Sequence, residues 1–286
     1  MPGIVRAGYA AGAVLLCLWV LTGCVGGFGL RYTEDPELYP KPPENAITFW
    51  GHACMYVDLD GFGIVTDPVF EPVYAAFHRR HIGSPPPSSF AGAGIVLISH
   101  AHNDHLSPKT LKRFPESTIV LCPIPSAKYM DELKLKIITM RPGDVQPFPG
   151  GEIIAINAWH PGYRYSFKAR ADGRALSYII RTPERTIYYT GDSRYYEVFR
   201  EVGNEYKPDV VLLNVNTHLN DHESLKVIRD LNPRKVIPGH FGAYRGSNER
   251  KTPKYRKALS EDLGNMWVEL AVGESATLDG ERIAGR

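Results

Sequence analysis

From residue 46 onward, short apolar runs alternate with polar, helix-period stretches. Ile47-Thr48-Phe49-Trp50, Met55-Tyr56-Val57-Asp58-Leu59 and Phe62-Gly63-Ile64-Val65-Thr66 are rich in β-branched and aromatic residues and predict three successive strands. Asp60-Gly61 between the last two predicts a tight hairpin turn. Gly94-Ile95-Val96-Leu97-Ile98 is a continuous apolar run of strand length, as expected of a strand covered on both faces. Beyond it the pattern predicts a helix over 108–114, a strand over 119–122, a helix over 126–133 and a strand over 137–140. The second half predicts a strand over 153–158, a hairpin of 175–181 with 186–190, and a helix over 195–206. It continues with a strand over 210–214, a helix over 223–231, a strand over 235–238 and a last helix near 255–263. Residues 71–91 show no period and contain His78-Arg79-Arg80-His81 and Pro85-Pro86-Pro87. They read either as a solvated basic loop or as a flap bringing cations to an anionic substrate.

The densest chemistry follows the buried run at 94–98. In Ser99-His100-Ala101-His102-Asn103-Asp104-His105-Leu106, four side chains able to bind a transition metal fall within six residues. Ser107-Pro108 then supplies a helix cap and a first-turn proline, so the cluster sits on a turn between strand and helix. Ligand sites in α/β sheets gather at such carboxyl ends of strands. Nitrogen and carboxylate donors without thiolate suit zinc, iron or manganese. His160, Asp192 and His240 each stand just past the end of a predicted strand as well. Strand ends share an edge, so these seven residues are expected to converge.

The pattern His-x-His-x-Asp-His resembles the signature of the metallo-β-lactamase superfamily. The resemblance implies an α/β fold: an αββα sandwich of two packed β-sheets with helices on the outer faces, over residues 46–286. It implies two divalent metal ions, zinc in the first place, with manganese or iron as alternatives. His100, His102 and His160 would hold the first; Asp104, His105 and His240 the second; Asp192 would bridge them. Two such ions share and acidify a hydroxide that attacks phosphorus or a carbonyl carbon, with Asp104 orienting it or carrying its proton. Trp50-Gly51-His52-Ala53, Thr66-Asp67-Pro68 and Pro238-Gly239-His240-Phe241-Gly242 look more narrowly like the branch of UlaG-type lactonases and N-acyl-phosphatidylethanolamine phospholipase D. In that branch a histidine precedes a Glu-containing helix, a place His218 takes here as a leaving-group donor. His52 is read as a core histidine steadying a ligand. A metal-dependent hydrolase of a phosphodiester, possibly a phospholipid, is the first expectation. A lactonase or other ester or thioester hydrolase is the alternative, and a non-catalytic metal-binding envelope protein the third.

Composition narrows the partners. With 33 basic and 31 acidic residues the net charge is +2, so no electrostatic case exists for nucleic acid. A small molecule or lipid is the expected substrate, and nothing in the chain specifies an oligomeric state. In the first 24 residues Arg6 is the only charge, and an apolar run from Tyr9 ends in Leu21-Thr22-Gly23-Cys24. That describes a secretory signal, and its ending looks like a bacterial lipobox. The resemblance implies a lipoprotein signal peptide over 1–23, lipidation of Cys24, a Gly- and Pro-rich tether to residue 45, and membrane attachment. The expected location is the periplasmic face of the cell envelope, with the outer membrane favoured. Cys54 and Cys122 remain for the domain, either paired or as buried free thiols.

Overall fold

A computed structural model of the chain describes residues 32–74, 78–216 and 219–283. Cys24 with its preceding apolar run, and His218, lie outside the described residues. No helix among the described residues is long and apolar enough to cross a membrane.

Strands β1 (Ala46–Gly51), β2 (Cys54–Leu59) and β3 (Phe62–Thr66) form the expected antiparallel meander. The short strands β4 (Val73–Tyr74) and β5 (His78–Arg80) and a single turn at Pro87–Phe90 follow. Then come β6 (Ala93–Leu97), helix α1 (Pro108–Leu111), β7 (Ile119–Pro123), α2 (Ile124–Ala127) and β8 (Lys136–Met140). The second half runs β9 (Val145–Phe148), β10 (Gly151–Asn157), β11 (Leu176–Arg181), β12 (Thr186–Tyr189), α3 (Val198–Tyr206) and β13 (Val210–Asn214). It closes with α4 (Asp221–Leu231), β14 (Lys235–Gly239), β15 (Tyr244–Arg245), α5 (Ser247–Leu263) and β16 (Ser275–Thr277).

Two mixed sheets result, ordered β16-β1-β2-β3-β6-β7-β8 and β14-β13-β12-β11-β10-β9, with β15-β5-β4 as a small third. Their apolar faces meet. Ile47, Val57, Ile64 and Leu97 of the first sheet share a buried core with Ile153, Ile180, Leu212 and Ile237 of the second. Side chains of a strand alternate between faces, and β6 shows it. Ile95 and Leu97 enter that inner core, while Val96 and Ile98 enter an outer one with Leu111 of α1. On the far side, Phe199 of α3, Val227 and Leu231 of α4 and Leu259 of α5 cover Ile179, Tyr188 and Val211. Full burial of each such side chain contributes roughly 1.5–3 kcal/mol. Helices therefore lie outside both sheets, in the layered arrangement the sequence predicts.

Some elements differ from expectation. The helices predicted over 108–114 and 126–133 are single turns, α1 and α2. After each, the backbone bonds three residues back, as from Phe114 N to Leu111 O and Met130 N to Ala127 O, so no further helical turn forms. Helix α3 starts at Val198 rather than 195, and α5 at Ser247, eight residues early, with Pro253 inside it. Residues 71–91 are not structureless, since β4 and β5 pair there and β5 also pairs with β15. The basic stretch is partly structural. Arg80 donates to Tyr39 Oη at 2.6 Å and lies over the Phe70 and Tyr244 rings. Cys54 and Cys122 are buried free thiols.

Candidate metal centre

Strands β3 and β6 run parallel in the first sheet, and β12, β13 and β14 run parallel in the second. Two antiparallel steps align β10 with β12, and two more align β1 with β3. The carboxyl ends of these strands meet along one edge of the sandwich. His52 follows β1, Asp67 follows β3, and the 100–105 turn follows β6. His160, Asp192 and His240 follow β10, β12 and β14. The edge is thus shared by the two sheets.

Seven residues expected to converge do so, in two adjoining groups. In the first, His100 Nε2 lies 2.9 Å from His102 Nδ1, which lies 3.3 Å from His160 Nε2. In the second, His105 Nε2 lies 3.2 Å from His240 Nε2, and Asp104 Oδ2 is 3.8 Å from each. Asp192 Oδ2 lies 3.3 Å from His105 Nε2 and 3.2 Å from His240 Nε2. His52 joins this second group, its Nε2 3.4 Å from Asp104 Oδ2 and its ring 4.1 Å from that of His240. It therefore touches two of the clustered residues, and its own ring nitrogen is also placed to serve as a donor.

Hydrogen bonds behind the rings fix which nitrogen faces inward. Ser99 Oγ donates to Asp67 Oδ2 at 2.5 Å, so it accepts from His100 Nδ1 at 2.9 Å and leaves Nε2 of His100 as the inward atom. His102 donates from Nε2 to the Ser166 carbonyl at 3.1 Å, which turns its Nδ1 inward. His105 donates from Nδ1 to Asp67 Oδ2 at 2.6 Å, turning its Nε2 inward. Asp67 also accepts from Tyr189 Oη at 2.5 Å and from the Ser99 backbone at 2.7 Å. Asn214 donates to Asp192 Oδ1 at 3.0 Å and leaves Oδ2 for the two histidines.

The electrostatics suit a cation in both groups. Burial, reinforced by the charges of His105, His160 and His102, holds His100 well below the ordinary imidazole range, so it is neutral with a free lone pair. Burial works against charge on His105 too, but Asp192, Asp104 and Asp67 overcome it and hold this ring protonated. Burial would raise Asp192 and Asp104; instead His105 and its neighbours hold both well below the carboxylate range. The extra proton on His105 thus occupies a place between carboxylates where a metal ion would carry the positive charge. His52, buried and beside His240, is lowered to about 4 and is neutral at pH 7. The donor set, hard and borderline with inward lone pairs, fits a divalent transition metal.

The centre opens along the 102–104 turn, where His102 and Asp104 are half-buried. The side chains of His105 and Asp67 are fully buried, whereas Asp104 is 21% exposed. Backbone strain collects here as well. His52, Asp67 and His240 adopt positive φ of 56°, 32° and 76°, in the left-handed region that non-glycine residues avoid. Such conformations cost of order 1–3 kcal/mol each and gather at functional sites.

Asp67, Ser99, Tyr189 and Asn214 were not identified from sequence as part of the centre. The signal that could have found two of them was present, since Asp67 and Asn214 also stand at ends of predicted strands.

A family profile described as the Beta-lactamase superfamily domain matches residues 63–241. A UPF0173 metal-dependent hydrolase of Pyrococcus horikoshii is 29% identical over 208 residues, 69% of this chain and 85% of that protein. One of Methanopyrus kandleri is 26% identical over 234 residues, covering 80% of this chain and 96% of that protein. Among solved structures, Igni18, a metallo hydrolase of the archaeon Ignicoccus hospitalis, superposes with a TM-score of 0.63 at 18% identity, over 84% of this chain and 99% of that one. The chain belongs to the β-lactamase superfamily and carries the fold of its metal-dependent hydrolases.

Proposed function

We propose that this member of the β-lactamase superfamily is a hydrolase with two divalent metal ions, acting on a phosphodiester of phospholipid type at the cell envelope. His100, His102 and His160 would hold one ion, and Asp104, His105 and His240 the other, with Asp192 between them. Zinc fits this donor set, as do manganese and iron. The observation that carries the reading is the pair of adjoining donor groups with Asp192 Oδ2 within 3.3 Å of both second-group imidazoles. Two such ions, when bound, acidify water at neutral pH and neutralise charge developing on a leaving oxygen.

The protein's own contribution is orientation and proton handling. Asp67 and Ser99 lock the His105 and His100 rings, and Asn214 aims Asp192. Asp104 is the ionised carboxylate at the opening, and His52 steadies its Oδ2. It is placed to accept a hydrogen bond from an incoming water and so orient it. His218, whose place before a Glu-containing helix rests on the sequence resemblance, is assigned as a donor to the leaving group.

Support for an anionic substrate comes from the positive charge of Arg164, whose guanidinium hydrogen bonds to Asn103 and to the Leu106 carbonyl on either side of Asp104. The phospholipid class rests on the resemblance of the 50–53, 66–68 and 238–242 stretches to the phospholipase D branch. The envelope location rests on the lipobox-like ending at Cys24. Incubating the metal-loaded full chain with an aryl phosphodiester and with N-acyl phosphatidylethanolamine tests the reading, and turnover of either one is expected. Silence on both, with a lactone panel opened, would replace it with a lactonase.

A further inference from the structure

Four of the six large hydrophobic side chains exposed among the described residues fall within nine positions: Trp159, Tyr163, Tyr165 and Phe167. Tyr165 is 78% exposed and Phe167 93%. In the segment after His160 the aromatic rings face outward while Arg164 and the Ser166 carbonyl bond back to the protein. Arg164 hydrogen bonds back to Asn103 and Leu106, on either side of Asp104, and lies 4.6 Å over the Tyr129 ring. The Ser166 carbonyl accepts from His102. A turn closed by Ser166 N to Tyr163 O at 3.0 Å holds the stretch in shape, and Lys128 and Arg174 flank the Tyr163 ring at 5.3 Å each. The loop is therefore fastened from beneath while its aromatic tips stand in the medium.

Isolated exposed apolar residues are ordinary, but four within one short segment, two of them almost wholly exposed, mark an interaction surface. Charge says what it meets. Between residues 163 and 174 Arg164, Lys168, Arg170 and Arg174 stand against a single acid, Asp172, so this short stretch carries +3 where the whole chain carries +2. Asp172 is paired with Arg174 at 3.1 Å, leaving Lys168 and Arg170 exposed beside Phe167. Aromatic rings next to exposed cations match the headgroup region of an anionic bilayer, where rings sit at the interface and cations meet phosphate.

We propose that the 163–170 loop is a membrane-docking loop. It seats Tyr165 and Phe167 in the interface of an anionic lipid bilayer and sets the opening at Asp104 against the headgroups. The proposal deepens the phospholipid reading and rests on it for the purpose of docking, but its test reads insertion and not turnover. The full chain is mixed with vesicles of phosphatidylcholine and phosphatidylglycerol, with or without brominated acyl chains. Tryptophan is placed by Phe167→Trp or, as a control on β9, by Val145→Trp, whose native side chain is 51% exposed. The emission of the unsubstituted chain is subtracted.

Bromination is expected to quench the added signal at 167 at least twofold and to leave that at 145 unchanged. Lys168→Glu with Arg170→Glu is expected to abolish the quenching. No quenching at 167, or equal quenching at both positions, overturns the proposal. So does a spectral shift at 167 produced by a soluble phosphodiester but not by vesicles, which would make the loop a substrate flap. Insertion without turnover of any phospholipid would retain the docking loop and defeat the substrate reading alone.

Discussion

At the scale of single residues, the centre depends on a carboxylate that binds no metal in this account. Asp67 takes three side-chain hydrogen bonds on one oxygen, from His105, Ser99 and Tyr189, and a backbone bond on the other. Through these contacts it fixes one ring in each donor group at once. Groups behind metal-bound histidines are worth about 10–100-fold in metal affinity. Asp67→Asn keeps the shape and removes the charge that His105 leans on, so metal affinity is expected to fall by about that factor. Competition against a chromogenic chelator measures it, and unchanged affinity would remove Asp67 from the centre. The seven residues expected to gather were legible because a dense histidine–aspartate turn is rare in a polar loop and because strand ends are readable. Asp67 stands in the sequence only as the middle of Thr66-Asp67-Pro68, where a lone aspartate before proline also reads as a turn. Tyr189 and Ser99 were hidden for another reason: a buried tyrosine and a serine carry no chemical signature until something is placed beside them.

Among elements, the strands that deliver the centre were the easiest to read. The strands β1, β2, β3, β6, β13 and β14 are apolar runs buried on the inner face, the outer face or both. Their identity follows from composition and length alone. The edges were not legible. β9 is Val-Gln-Pro-Phe, β5 is His-Arg-Arg and β15 only Tyr-Arg, and such pieces become strands because a neighbour offers its ladder. The two single-turn helices beside the first sheet were overextended for a related reason. The buried residues after them, Phe114 and Met130, keep apolar spacing while the backbone has already turned away. The 163–170 loop lay beyond sequence reading altogether, because its aromatic residues look like core until their 78% and 93% exposure is seen.

For the whole molecule, two sheets joined face to face place the centre on a shared edge and bury titratable groups deep in the layers. Burial lifts Tyr39 and Cys122 to about 12, against 10.0 and 9.0 for the free groups. The unfolded chain loses these protons first, so the stability they supply is complete below pH 9 and declines as pH rises toward 12. The decline is roughly 1.4 kcal/mol per pH unit for each group within its window. Urea midpoints at pH 8, 9.5 and 11 are expected to fall steadily, and a midpoint constant to pH 11 would contradict the burial assigned to both. One edge of the sandwich is proposed to hold two metal ions, one in each of the two donor groups. Elemental analysis of the natively purified full chain, alone and with His240→Ala, tests it most directly. About two ions per chain are expected, with only the ion of the His100, His102 and His160 group retained in the variant. Less than one ion in the unsubstituted chain, or no loss in the variant, would contradict it.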